Sequence, residues 1–131
     1  MARRKSIDID GFVHKNPIPA ACRIGNLLMT GGIHGMDPET GKTPPTIEEQ
    51  CRHIFRHIRK IMEAAGGTTD DIIKMTVWMN DRSQRDALNK EWIAMFPDES
   101  NRPARHTMKG NLEGGMLIQV DITAVIDGPA K

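Results

Sequence analysis

The chain contains no tyrosine, and its aromatic content is only 4%, supplied by two tryptophans and three phenylalanines. So little aromatic surface argues against a protein that grips nucleic acid by stacking bases on exposed rings. Cysteine is scarce as well. Cys22 and Cys51 have neither metal-type spacing nor a disulfide framework around them, which points to a reducing, cytoplasmic setting rather than a secreted disulfide scaffold. No apolar run approaches the roughly 20 residues that a membrane-spanning helix needs. Met1-Ala2-Arg3-Arg4-Lys5 is basic but has no apolar stretch behind it, so residues 1–5 read as a frayed basic tail and not as a signal peptide. Neither sign of charge dominates: 18 Lys and Arg stand against 17 Asp and Glu, for a formal net charge of +1. No global field therefore draws the protein to nucleic acid or to an anionic membrane. What is present is 131 residues without an internal repeat, a length that suits one domain, 1–131, with a single core.

The elements read off in order. Residues 6–13 alternate polar and apolar, the pattern of an edge strand. Residues 20–24 and 27–30 are short apolar runs separated by Gly25-Asn26, the signal of a tight hairpin. Gly31-Gly32 ends the second of them, and Met36-Asp37-Pro38-Glu39-Thr40-Gly41 is a turn. Thr46 with Glu49 forms a capping box, and Gly66 sits where a helix C-terminus needs it. Between them Ile47, Cys51, Ile54, Phe55, Ile58, Met62 and Ala65 recur at helical spacing. Residues 72–79 are nearly continuously apolar, as in a central strand covered on both faces. Leu88, Trp92, Met95 and Phe96 mark a second helix, opened by Ser83 with Asp86 three residues on. Residues 105–109 and 117–126 flank a glycine-rich loop and read as a final hairpin.

This order predicts an α+β protein, a mixed sheet of about six strands with two helices packed on one face. Ile72, Thr76 and Trp78 alternate with Ile73, Met75, Val77 and Met79, so both faces of that strand are largely apolar. Two helices cover only one face; in so short a chain the simplest cover for the other is another copy of itself.

Arg105 is the side chain most suited to chemistry. Pro103 fixes its own φ and biases Arg102 toward extended backbone, so Arg105 arrives on a strand rather than a loose loop. A guanidinium held there can grip a carboxylate through two parallel hydrogen bonds. His34 follows the glycine pair and is suited either to proton transfer or to a single backbone hydrogen bond. His53 and His57 have the i, i+4 spacing of zinc ligands, but no third ligand stands near them in sequence. Helical geometry places them away from the apolar stripe, on a solvated face with Arg52, Arg56, Arg59 and Lys60. No metal site is expected.

From about Asn16 to Ile126 the chain resembles the RidA/YjgF family, the reactive intermediate (imine) deaminases. The residues that carry the likeness are Arg23-Ile24-Gly25-Asn26-Leu27-Leu28-Met29-Thr30-Gly31-Gly32, the 37–41 turn, Glu63-Ala64-Ala65-Gly66, Asp71-Ile72-Ile73-Lys74-Met75-Thr76-Val77, Asn89 and Arg102-Pro103-Ala104-Arg105. The resemblance implies a chorismate-mutase-like fold, a homotrimer with clefts between subunits, and hydrolysis of 2-imino acids to keto acids and ammonia without metal or organic cofactor. By the same likeness Arg105 is the carboxylate clamp, Gly32 lines the cleft and Asn89 lies near it. The chain departs from the deaminating pattern at three places: Ile18 where a tyrosine is usual, Thr107 where a cysteine is, and Gln119 where the water-orienting glutamate is.

Those departures shape the chemistry. Gln119 can hydrogen-bond a water but is no base at neutral pH. Asp121 lies two residues on, on the same strand face, and is available as a displaced carboxylate. Thr107 can anchor a water. The leading expectation is a RidA-type deaminase with Arg105, Gln119 and Asp121 as catalytic residues and Arg105, Gly32, Asn89, Thr107 and Ile18 lining the ligand site. Its partners are a small carboxylate substrate and further copies of the chain. Two alternatives stand beside it. One is a weak or inactive ligand-binding trimer for 2-keto or 2-imino carboxylates. The other is an RNA-binding or ribonuclease-type protein using the basic face of the first helix, against which the near-neutral charge and scarce aromatics weigh.

Overall fold

The protein is described over residues 2–127 by a computed structural model. The two best-signalled elements form as their local chemistry dictates. Helix α1 (Ile47–Ala64) begins at Thr46, whose extended backbone turns its side chain onto the Glu49 amide at 3.2 Å. It ends in a Schellman motif: the Gly66 and Gly67 amides bond the Glu63 and Met62 carbonyls at 3.1 and 2.9 Å, with Gly66 at φ 85°. Strands β2 (Ala21–Ile24) and β3 (Leu27–Thr30) form the expected hairpin. Gly25 alone of the two loop residues has positive φ, 54°, the requirement of a type II′ turn.

The remaining elements are β1 (Lys5–Ile7), β4 (Ile33–His34), β5 (Ile72–Met79), helix α2 (Arg85–Met95), β6 (Ala104–Lys109) and β7 (Ile118–Val125). All seven strands belong to one mixed sheet, ordered β1-β2-β3-β7-β5-β6, with β4 pairing β7 beyond the end of β3. Both helices pack on one face. There the buried core joins Ile54, Ile58 and Ile61 of α1 and Leu88 of α2 to Met75, Val77 and Met79 of β5 and Ile118, Val120 and Ile122 of β7. No helix among the described residues is long and apolar enough to cross a membrane.

Five local expectations are corrected. The last two strands are not a hairpin: β6 runs parallel to β5, joined to it through α2, while β7 passes between β5 and β3, antiparallel to both. Asn80 makes this hop over β5 possible. Its amide donates to the Leu112 and Met116 carbonyls at 3.3 and 3.1 Å and its Oδ1 accepts from the Leu112 amide at 2.7 Å, lashing the glycine-rich loop across the strand end. Second, the faces of Ile72 and Ile73 are exchanged. A bulge between the pairs Ile72–Ala124 and Lys74–Thr123 turns Ile72 into the core and leaves Ile73 57% exposed. Third, residues 6–13 form a strand only as far as Ile7, because Gly11 at φ 83° bends the chain into an isolated Ile9–Phe12 bridge. Fourth, Asp81 rather than Ser83 starts the second helical segment, accepting from the Ser83 amide and hydroxyl at 3.0 and 2.6 Å over a 3₁₀ turn that leads into α2.

The fifth correction concerns α1. His53 and His57 do not face solvent; both are buried. The segment around Phe12 and the turn at Met36 close over that flank. Phe12 lies 5.0 Å from the His57 ring, and His57 Nε2 donates to the Met36 carbonyl at 2.7 Å. Arg52, Arg56 and Arg59 remain exposed. Arg23, the largest buried polar residue, donates to the Gly25 carbonyl at 2.7 Å and to the Ala65 carbonyl at 2.6 Å. It thereby ties the β2–β3 hairpin to the C-terminus of α1, where the helix dipole favours a cation.

Candidate active site in two halves

Arg105 lies on β6, as the proline-led segment implies, and pairs with Met75 in parallel register. Paired residues share a face, so Arg105 points to the helix side of the sheet. There α2 presents Asn89 and Trp92, one turn apart. Arg105 Nη2 donates to Asn89 Oδ1 at 2.8 Å, and the guanidinium carbon sits 4.9 Å from the centre of the Trp92 ring. Trp92 is itself held edge-on by Phe96, 4.8 Å away. The guanidinium is thus oriented from the side and from below. Its Nη1 is buried with no hydrogen-bond partner. Burial and the nearby Arg85 both lower the affinity of Arg105 for its proton, the signature of a cation short of an anion. Thr107 follows two residues on, on the same face beside Val77.

Gln119 and Asp121 lie on the opposite, open face, because Ile118, Val120 and Ile122 between and beside them are buried under the helices. Gln119 is flanked across the strands by His34 on β4 and Trp78 on β5; Asp121 is flanked by Thr76. The Gln119 side chain fills the space in which any Cβ at Gly32 would have to sit. Gly32 and Gln119 are therefore brought together, and a side chain at position 32 would displace the amide. Asp121 accepts a hydrogen bond from the Trp78 side chain; burial raises its pKa, and Lys74 and that hydrogen bond oppose the rise.

The residues singled out in the sequence thus separate into two groups. Arg105, Asn89 and Thr107 share the helix side; Gly32, Gln119 and Asp121 share the open side. Ile18 joins neither. It is 51% exposed on the segment before β2, with β3, β7 and β5 standing between β2 and the Arg105 strand. A cavity of about 450 Å³ opens where β5 and β6 begin, lined by Ile73, Arg102 and Ala104 among others, and none of the seven candidate site residues lines it. Among the described residues, no three His, Cys, Asp or Glu side chains are grouped to hold a metal ion.

Sequence reasoning missed two contributors. Helical spacing assigns Trp92 to the core, and its i, i+3 relation to Asn89 puts it on the same helix face. Trp78 reads as an apolar strand residue, and only the β5–β7 register sets it beside Gln119.

The open face also carries exposed apolar side chains. Leu27 and Met29 of β3 and Val125 of β7 are 48%, 55% and 46% exposed, and Leu27 pairs directly with Val125.

The family model described as Endoribonuclease L-PSP matches residues 14–126. A RutC family protein of Haemophilus influenzae is 36% identical over 112 residues, covering 83% of this chain and 86% of its own. The 2-iminobutanoate/2-iminopropanoate deaminase of Escherichia coli strain K12 is 30% identical over 104 residues, covering 78% of this chain and 81% of its own. Among solved structures, RidA from an Antarctic Psychrobacter superposes with a TM-score of 0.86 at 27% identity, over 93% of this chain and 99% of that one. Sequence match and superposition agree along nearly the whole described chain, which therefore belongs to the RidA/YjgF family.

Proposed function

We propose that this protein binds small 2-keto and 2-imino carboxylates at seams between copies of the chain and hydrolyses the imines to keto acids and ammonia. The observation that carries this reading is Arg105: half-buried and steered by Asn89 and Trp92, with Nη1 buried and unpartnered. A buried polar group without a partner costs about 1–3 kcal/mol, and a ligand carboxylate removes that cost while matching the planar fork. The E. coli relative, a 2-iminobutanoate/2-iminopropanoate deaminase, supports the same substrate class.

The seam follows from the division of the site. In one chain the clamp and the Gln119–Asp121 strip lie on opposite faces of a sheet, so one substrate meets both only if the clamp of one copy approaches the open face of another. Leu27, Met29 and Val125 give that face the apolar surface for such an approach. A homotrimer is the closed assembly that we assign to it, with a cleft at each seam. Hydrolysis then needs little from the protein: the carboxylate is anchored, Gln119 holds a water over the imine carbon, and Asp121 is the carboxylate available on that strip.

The test is calorimetric. Pyruvate binds the wild type, Arg105→Ala loses that binding while keeping its fold, and Arg105→Lys recovers little because an ammonium lacks the fork. Equal pyruvate affinity in wild type and Arg105→Ala overturns the clamp. A second reading, a binder without turnover, is favoured by Gln119, whose amide takes no proton. Ammonia release from freshly generated 2-aminoacrylate separates the two.

A further inference from the structure

The Gln119 amide is itself no proton acceptor for the hydrolytic water, and an imidazole stands across the strand pair from it. His34 is the residue directly opposite Gln119 in the β4–β7 pair, a relation that holds the two Cβ atoms about 5 Å apart. The Gln119 amide itself leans onto Gly32, two residues before His34 and, by the β4–β7 register, across from Asp121. By their pairing Gln119 and His34 leave the sheet on the same face. The His34 ring is wedged 5.1 Å from Phe12, and its Nδ1 is buried with no hydrogen-bond partner. No acceptor or donor pins its tautomer, so the ring is free to carry its proton on either nitrogen. The titratable and charged groups that face it are His14 and Lys15 from the segment before β2 and His57 from α1. These and burial all favour the neutral ring, the form that accepts a proton. Asp121 is the competing acid–base group on this face, one pleat further along β7 and opposite Thr76.

We propose that His34 is the general base and acid of this site, taking the proton of the water held by Gln119 and returning it to the departing amine. The inference rests on the imine-hydrolase reading above. In the first step the water oxygen bonds the imine carbon, its proton passes to His34, the C=N π pair moves onto nitrogen, and the imidazolium protonates that nitrogen. In the second the carbinolamine hydroxyl gives its proton to His34, the C–N bond breaks, the carbonyl forms, and the imidazolium protonates the leaving group as ammonia. Imine and water are consumed, keto acid and ammonia are released, and His34 ends neutral.

The experiment is the pH profile of kcat/KM for 2-aminoacrylate-derived imine, corrected for the uncatalysed rate, in wild type, His34→Gln, Asp121→Asn and Arg105→Ala. The wild type should lose activity toward acid as the imidazole charges. His34→Gln should fall by about 10²- to 10⁴-fold in kcat and lose that acidic limb, while its pyruvate affinity stays within about twofold. Asp121→Asn should keep the limb. Activity and limb unchanged in His34→Gln, or a limb lost in Asp121→Asn instead, overturns the assignment while leaving the hydrolase reading standing. Pyruvate binding that survives in Arg105→Ala overturns the clamp reading itself, and a wild type without turnover overturns both. Should His34→Gln not fold, the imidazole resonances of the native protein decide. A His34 signal that moves on adding pyruvate to the wild type but not to Arg105→Ala supports the proposal, and an unmoved signal refutes it.

Discussion

The Arg105 guanidinium and the Gln119 amide are both defined by what touches them. Arg105 is fixed by Asn89 and Trp92 yet keeps one buried nitrogen unpartnered. Gln119 rests on the bare backbone of Gly32 with His34 across from it. The substitution that exposes their relation is Gln119→Glu. A carboxylate at position 119, directly opposite His34 in the β4–β7 pair, favours the imidazolium, so the acidic limb of the rate profile should move to higher pH. A limb that stays in place in Gln119→Glu, followed over pH 5–8, would show that residues 34 and 119 do not act on the same step. That Arg105 sits on a strand was legible from Pro103; that Trp92 lies under it was not, because helical spacing assigns a face and not the side chain that crosses it.

At the scale of elements, α1 is held by its two ends and by its buried histidine flank. Gly66→Ala forces an L side chain into φ 85° and should cost about 1–2 kcal/mol, measured as a lower urea midpoint at fixed protein concentration. The histidines make the helix sensitive to acid. Burial pushes the His57 pKa from 6.5 down to about 4, the largest cause among several, and the pKa values of His14, His34 and His53 move in the same direction. The unfolded chain therefore takes up these protons first. Stability is full above about pH 6.5 and declines as the pH falls toward about 4, by up to about 3 kcal/mol for His57 alone. His57→Gln retains a donor for the Met36 carbonyl and cannot titrate, so its melting temperature should fall less between pH 7 and 4.5 than that of the wild type. A parallel decline would remove His57 from this account.

For the whole molecule, the proposed seam site ties ligand binding to assembly. Light scattering should give a mass of three chains in dilute solution. Met29→Glu, which places a charge among Leu27, Met29 and Val125 on the open face, should lower that mass toward one chain and weaken pyruvate binding together with it. A one-chain mass in the wild type, or a dissociated variant that binds pyruvate with undiminished affinity, would show that one chain completes the site by itself.

The sequence by itself determined much of what neighbours within a few residues govern: the Thr46 cap, the Gly66 terminus, the Gly25-Asn26 turn, the strand at Arg105, and two helices on one sheet. Propensity, capping and turn geometry act over that range, and so they are written locally. Only the tertiary structure decided what depends on distant partners. β7 lies between β3 and β5, and β6 runs parallel at the edge, because hydrogen-bond pairing between strands is settled by chain crossovers that alternation of polar and apolar residues does not encode. The bulge at residues 72–74 reversed two side chains that period-2 counting had placed. The closure of Phe12 and Met36 over α1 buried His53 and His57 where the helix alone left them in water. Through the same long-range pairing, Arg105 and Gln119, both visible in the sequence, came to stand on opposite faces of one sheet.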